Sequence, residues 1–255
     1  MAPTGMAAGI FHADSAPAAA SGPPLLLVHG AGGTHRSWPE AMRALPGRRV
    51  IALDLPGHGG SPGPAKAEVA GYARSVLGLL DALRLGTAAV AGHSMGGAVA
   101  LTLALEAPAR VAALCLVGTG ARLRVSQAIL QATADPPALA RAADSIAAWS
   151  LGPSAGEALQ REVLEGLLAA GPGVVHGDFA ACNAFDVMGR LGEIRVPSLV
   201  VCGAEDRLTP PKYSEFLRDR IAGARLELIQ GAGHMVMLEA PGAVARLVEG
   251  FLATL

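Results

Sequence analysis

The sequence predicts an α/β protein, a mostly parallel sheet flanked by helices on both faces. Two observations predict it. Short apolar runs bounded by glycine or proline alternate with longer amphipathic segments along most of the chain, which is the pattern of βαβ units. Hydrophobic residues make up 51% of the 255, enough to bury a parallel sheet on both sides.

The first element expected is a short strand at Ala7–Phe11, followed by a flexible Ala/Pro connector. The alanine-rich start does not read as a secretory leader, because it has no positive charge and His12 and Asp14 interrupt the apolar stretch. Six further strands are expected: "LLLVHG" (Leu25–Gly30), "RVIALDLPG" (Arg49–Gly57), "AAVAGHS" (Ala88–Ser94), "VAALCLVG" (Val111–Gly118), "PSLVVCG" (Pro197–Gly203) and "RLELIQG" (Arg225–Gly231). Helices are expected between and after them, at about Lys66–Leu83, Met95–Ala107, Pro211–Ile221 and Pro241–Leu252.

From Thr119 to about Ile194 the alternation stops. Only helix-compatible stretches remain, such as "SQAILQAT", "PALARAADSIAAW" and "GEALQREVLEGLLAA". This divides the chain into a first core part (1–118), a helical insertion (119–194) and a second core part (195–255). Ligands of open α/β sheets bind beyond the carboxyl ends of the strands. An insertion leaving from that end sits over the site as a cap.

"AVAGHSMGGAVALTL" poses the question of function. In a chain with 33 glycines, Gly-x-Ser-x-Gly arises readily by chance, so the context must carry the argument. Ser94 follows an apolar run and precedes a segment suited to a buried helix. Strand, serine, helix is what a nucleophile elbow requires, with Gly92 and Gly96 removing side chains that would collide across the turn. The helix opening at Met95 aims free N–H groups at any anion formed there.

A serine hydroxyl needs a base, and the base an orienting acid. "LIQGAGHMVMLEAP" puts His234 just past the last strand, and "VVCGAEDRLTPP" puts Glu205 and Asp206 just past the one before it. Neighbouring residues in an extended loop point in different directions, so one acid at most can hold the imidazole. "LVHGAGGTHRSW" supplies a backbone with few side chains after the first buried strand. One N–H from it, with that of Met95, would make a two-donor oxyanion pocket.

With these motifs in order, the chain resembles the α/β-hydrolase superfamily, in its serine-nucleophile, cap-bearing, carboxylesterase-like branch. The matching stretches are "HGAGG", "DLPGHGGS" (Asp54–Ser61), "GHSMGG" (Gly92–Gly97), "GAEDRLTP" (Gly203–Pro210) and "GAGHMVMLEAP" (Gly231–Pro241). Only the cap is left unmatched. The resemblance implies Ser94 as nucleophile, Asp206 rather than Glu205 as acid, and His234 as base. It implies Ala31 and Met95 as oxyanion donors, with Gly32 the alternative to Ala31, and no catalytic role for Asp54 or His58. No metal or organic cofactor is implied, and serine at position 94 argues against the dehalogenase and epoxide hydrolase branches.

The function expected is a serine hydrolase of carboxylic esters acting on a small-molecule acyl substrate. The alternatives are a carbon–carbon bond hydrolase, a lactonase or a cofactor-free perhydrolase with the same triad, and more remotely a small-molecule receptor. A net charge of −1 without basic clusters argues against nucleic acid. No apolar run approaches the roughly 20 residues of a membrane span. Cys115, Cys182 and Cys202 show no metal-ligand spacing and are expected to be reduced residues of a cytoplasmic protein. The cap has few aromatics (Trp149, Phe179, Phe185), and Arg122 and Arg124 near its start are expected on a solvated face.

Overall fold

The computed structural model describes residues 2–17 and 19–255. Eight strands form one sheet: β1 (Thr4–Ala7), β2 (Ile10–Ser15), β3 (Leu25–Val28), β4 (Val50–Leu53), β5 (Ala88–His93), β6 (Val111–Val117), β7 (Ser198–Gly203) and β8 (Arg225–Ile229). Their spatial order is β1-β2-β4-β3-β5-β6-β7-β8. β1 and β2 pair antiparallel, as do β2 and β4, and every later pairing is parallel.

Burial follows the composition of each strand. The all-apolar β3 and the small-residue β5 are buried at every position, as strands covered on both faces must be. β8, with Arg225 and Glu227, is the half-exposed edge. Within β3, Leu26 and Val28 join the core cluster on one face, and Leu25 and Leu27 join the cluster on the other, as the two-residue repeat of a strand dictates.

The single strand expected at Ala7–Phe11 is corrected: that stretch holds the turn of a hairpin, Ala8–Gly9, between the end of β1 and the start of β2. Ala8 and Gly9 both have positive φ, 48° and 73°, the backbone of a type I′ turn. Its signal was the glycine, which tolerates that conformation without cost. The Ala/Pro connector beyond it includes Ala18, outside the described residues. "RVIALDLPG" also ends early as a strand, at Leu53. There the Asp54 carboxylate accepts the Gly60 N–H at 2.8 Å and the His35 N–H at 2.6 Å, which turns the chain out of the sheet.

The helices are α1 (Glu40–Arg43), α2 (Val69–Ala82), α3 (Met95–Glu106), α4 (Gln127–Ala132), α5 (Pro136–Trp149), α6 (Glu157–Ala170), α7 (Pro172–Ala184), α8 (Pro211–Arg220), α9 (Val236–Glu239) and α10 (Pro241–Leu252). α3 is buried from Met95 through Ala104, so its alanines and glycines let it lie close against the sheet. Helices α4 to α7 fall between β6 and β7. They build a small core of their own from Leu139, Ala143, Ile146, Leu167 and Val175. α7 lies within the expected helical insertion but outside its clearest helix-compatible stretches, because its glycines weaken the helical signal. Pro172 at its first turn was the available start signal.

Leu114 on β6 is fully buried in the core shared with α3. Leu114→Ala is expected to cost about 2–5 kcal/mol in urea unfolding. Leu228→Ala, at an edge position left 40% exposed, should cost less than about 1 kcal/mol.

Candidate active site

Ser94 stands between β5 and α3 with φ 52° and ψ −116°, a conformation worth about 1–3 kcal/mol of strain for a residue with a side chain. The surrounding backbone imposes it. The Ser94 N–H donates to the Val117 carbonyl at 3.0 Å, and the Ser94 carbonyl accepts the Gly97 N–H and the Thr119 hydroxyl. A Cβ on Gly92 would overlap the Gly96 carbonyl, and one on Gly96 would overlap the carbonyls of Val28 and His29. The second glycine is therefore needed for a different reason from the one the sequence suggested. It lets the first turn of α3 press against the end of β3.

Asp206 and His234 meet at the carboxyl end of the sheet. His234 Nδ1 is 2.9 Å from Asp206 Oδ2, and both side chains are buried. Two backbone N–H groups, of Leu208 and Thr209, and the Thr209 hydroxyl also donate to the Asp206 carboxylate. Burial acts to raise the Asp206 pKa. The charge and hydrogen bond of His234, with the Thr209 donors, outweigh it and hold the carboxyl below its ordinary range. Glu205, one residue earlier, is exposed.

His93 was not singled out from the sequence, yet it holds His234 from behind. Its Nε2–H donates to the His234 carbonyl at 3.0 Å, and the two rings lie 4.8 Å apart. Burial, followed by the charge of His234, pushes the His93 pKa down to about 3. His29, at the end of β3, is also neutral. It accepts the Leu55 N–H on Nε2 at 3.0 Å and donates from Nδ1 to the Gly30 carbonyl, and burial with nearby His58 lowers its pKa to about 4.

The glycine loop after β3 contains the two neighbouring N–H groups that the sequence could not separate. The Gly32 N–H donates to Asp178 Oδ2 on α7 at 2.8 Å. The Ala31 N–H has no partner among the described residues. The Met95 N–H lies in the first turn of α3, where the helix offers it no acceptor.

Ser94, His234 and Ala31 line one cavity of about 910 Å³. Its far wall comes from the segment between β6 and β7, through Leu123, Ile146, Trp149, Leu167 and Phe179. Phe185 lies elsewhere, in the core against the sheet. Arg122 pairs with Asp186 at 3.6 Å while exposed, and Arg124 is exposed at the cavity.

That segment is tied to the histidine loop. Glu239 accepts the N–H groups of Gly233 and Gly152, and the Met235 N–H donates to the Ser150 carbonyl. Gly152 and Gly233 are in such close contact that a Cβ on either would strike the other's loop. Among the described residues no group of three or more His, Cys, Asp or Glu stands where it could hold a metal ion.

The sequence pattern of the alpha/beta hydrolase fold matches residues 23–241. The chain belongs to the α/β-hydrolase family. It is 32% identical over 252 residues to the pimeloyl-[acyl-carrier protein] methyl ester esterase of Neisseria meningitidis serogroup B (strain ATCC BAA-335 / MC58), covering 89% of this chain and 91% of that one. It is 31% identical over 268 residues to the 2-hydroxymuconate semialdehyde hydrolase of Pseudomonas sp. (strain CF600), covering 91% and 88%. A solved thermophilic esterase superimposes with a TM-score of 0.84 at 34% identity, over 99% of this chain and 97% of its own. This α/β-hydrolase family member is an enzyme of the hydrolase class.

The two neutral histidines make a prediction about acid stability. The unfolded chain takes up protons at its histidines near 6.5, whereas the native state takes them up at His29 and His93 only near 4 and 3. The folded values are depressed, so this stability is present above 6.5 and is lost as the pH falls. Urea unfolding should lose about 2 kcal/mol between pH 6 and pH 5 from this pair. His29→Gln, which keeps an acceptor for the Leu55 N–H and does not titrate, should remove about half of that loss.

Proposed function

We propose that this α/β-hydrolase cleaves carboxylic esters through an acyl-enzyme on Ser94. The observation that carries the reading is the strained Ser94 turn, opening into the same cavity as a histidine whose other nitrogen is hydrogen-bonded to a buried carboxylate. A serine held in this way has its hydroxyl exposed at the end of the strand, and the strain has no use in a plain turn.

In the proposed reaction, His234 takes the Ser94 proton on Nε2 as the oxygen attacks the acyl carbon. The carbonyl electron pair moves to oxygen, where the N–H groups of Ala31 and Met95 stabilise it. Collapse of the tetrahedral intermediate expels the alcohol, which receives the proton from His234. Water, deprotonated by the same imidazole, attacks the acyl-enzyme and releases the acid. Asp206, ionised throughout, keeps Nδ1–H in place and stabilises the imidazolium. The assignment of Ala31 is supported by the engagement of the Gly32 N–H with Asp178.

A cavity of about 910 Å³ with a largely apolar far wall suits a small-molecule acyl substrate. The Neisseria esterase and the thermophilic esterase support an ester as the bond cleaved. The likeness to the 2-hydroxymuconate semialdehyde hydrolase favours carbon–carbon bond hydrolysis as the second reading. The cytoplasmic placement is supported by three free, buried cysteines. Among the described residues no helix is long and apolar enough to cross a membrane.

A panel of p-nitrophenyl esters from short to long acyl chains tests the reading. Wild type should release p-nitrophenol, and Ser94→Ala should lose about 10⁴-fold or more in kcat. Full activity in Ser94→Ala refutes the mechanism. If every ester is inert while a serine-directed phosphonate still labels Ser94, the carbon–carbon reading takes its place.

The two acids are separable in the same assay. Asp206→Asn should lower kcat by about 10²–10⁴-fold, whereas Glu205→Gln should stay within about threefold of wild type. The reverse result would move the orienting acid to Glu205.

A further inference from the structure

Asp178 on α7 is fully buried and belongs to no part of the proposed reaction. Its carboxylate accepts three hydrogen bonds. The Gly32 N–H and His58 Nε2 reach Oδ2 at 2.8 Å each, and the Tyr72 hydroxyl reaches Oδ1 at 2.6 Å. All three partners lie outside the segment that carries Asp178: Gly32 follows β3, His58 follows β4 and Tyr72 lies on α2.

His58 is the counter-ion. Its Nδ1 is 3.1 Å from the Pro56 carbonyl, which can only accept. With Nε2 facing a carboxylate, both ring nitrogens donate and the ring is an imidazolium. Its neighbour His29, ring centroid 4.8 Å away, accepts on Nε2 and is neutral, so His58 alone of the two rings is charged. The side chains of His58 and Asp178 are both fully buried. A buried ion pair is often no more stabilising than apolar residues of the same volume, so stability alone does not account for this one.

The geometry points to positioning. Two consecutive N–H groups in the glycine loop could face the cavity, and they cannot both do so. We infer that Asp178, held by His58 and Tyr72, is a positioning residue for the oxyanion pocket: it captures the Gly32 N–H and so leaves the Ala31 N–H aimed into the cavity beside Ser94. The loop is also wedged in place. Gly32 has φ +65°, and a Cβ there would press on Val175 at 3.3 Å and Leu167 at 3.4 Å, both in the small core of the β6–β7 segment. Docking of that segment and assembly of the pocket are thereby one event. This inference rests on the serine-hydrolase reading.

The test uses Asp178→Ala and the milder Tyr72→Phe, which removes one of the three donors and keeps the fold should the alanine variant unfold. In both, kcat should fall, by about 10–10²-fold for Asp178→Ala, toward the loss seen when an oxyanion donor is removed, with KM within about threefold. Affinity for a trifluoromethyl ketone, which forms a tetrahedral adduct on the serine, should fall in parallel with kcat/KM. Affinity for a carboxylic acid product should not. Hydrogen exchange of the Gly32 amide, read without turnover, should be slow in wild type and faster in each variant. Unchanged ketone affinity in a folded variant whose Gly32 amide exchanges faster overturns the inference, as does a Gly32 amide that exchanges freely in wild type. A wild type that neither cleaves esters nor binds the ketone refutes the serine-hydrolase reading itself.

Discussion

The close packing of α3 against the carboxyl ends of β3 and β5 is the constraint on which the rest of the site depends. Gly92 and Gly96 allow a backbone separation that no side chain would fit. The chain can then pass from strand to helix only through a left-handed residue, and that residue is Ser94. The same contact places the first turn of α3, with its unpaired N–H groups, beside the loop that follows β3. The strain of one serine is compensated by a helix buried along nearly its whole length.

Around that turn, environment divides chemically identical side chains into different protonation states. His29 and His93 are buried against backbone groups that fix them as neutral rings. His58 meets a carboxylate and a carbonyl and is charged. Burial, which alone would lower its pKa, is outweighed by the hydrogen bond and charge of Asp178, so the value is raised. At Cys115 and Cys202 burial outweighs the lowering effects of the Arg48 charge and the Ser214 hydrogen bond respectively, and their thiols are pushed up to about 12 and about 11. They are inert packing residues at physiological pH.

The helices between β6 and β7 do more than cover the cavity. They touch both loops that the proposed chemistry needs, the histidine loop through Glu239 and the Gly152 turn, the glycine loop through Asp178. In both ties a carboxylate accepts backbone N–H, the charge-assisted form of hydrogen bond that holds geometry best, and the Met235 N–H to the Ser150 carbonyl adds to the first. The far wall of the cavity is therefore mechanically continuous with the loops that carry His234 and Ala31.

The parallel sheet was legible because central strands of continuous apolar residues and the helices between them leave distinct periodicities, and the strand ends that carry Ser94, Asp206 and His234 were legible for the same reason. The N-terminal hairpin was misread because its turn lies inside the apolar run. The bounds of α7, inside the expected helical insertion, were not legible because its glycines weaken the periodic signal. What only the tertiary structure decided is which neighbouring groups are engaged: Gly32 rather than Ala31 by Asp178, His234 from behind by His93, His58 charged and His29 neutral. Gly32 and Asp178 are 146 residues apart in the chain. Periodicity records which face of an element is buried, whereas the direction of an N–H and the charge of an imidazole depend on partners that only folding brings within hydrogen-bond distance.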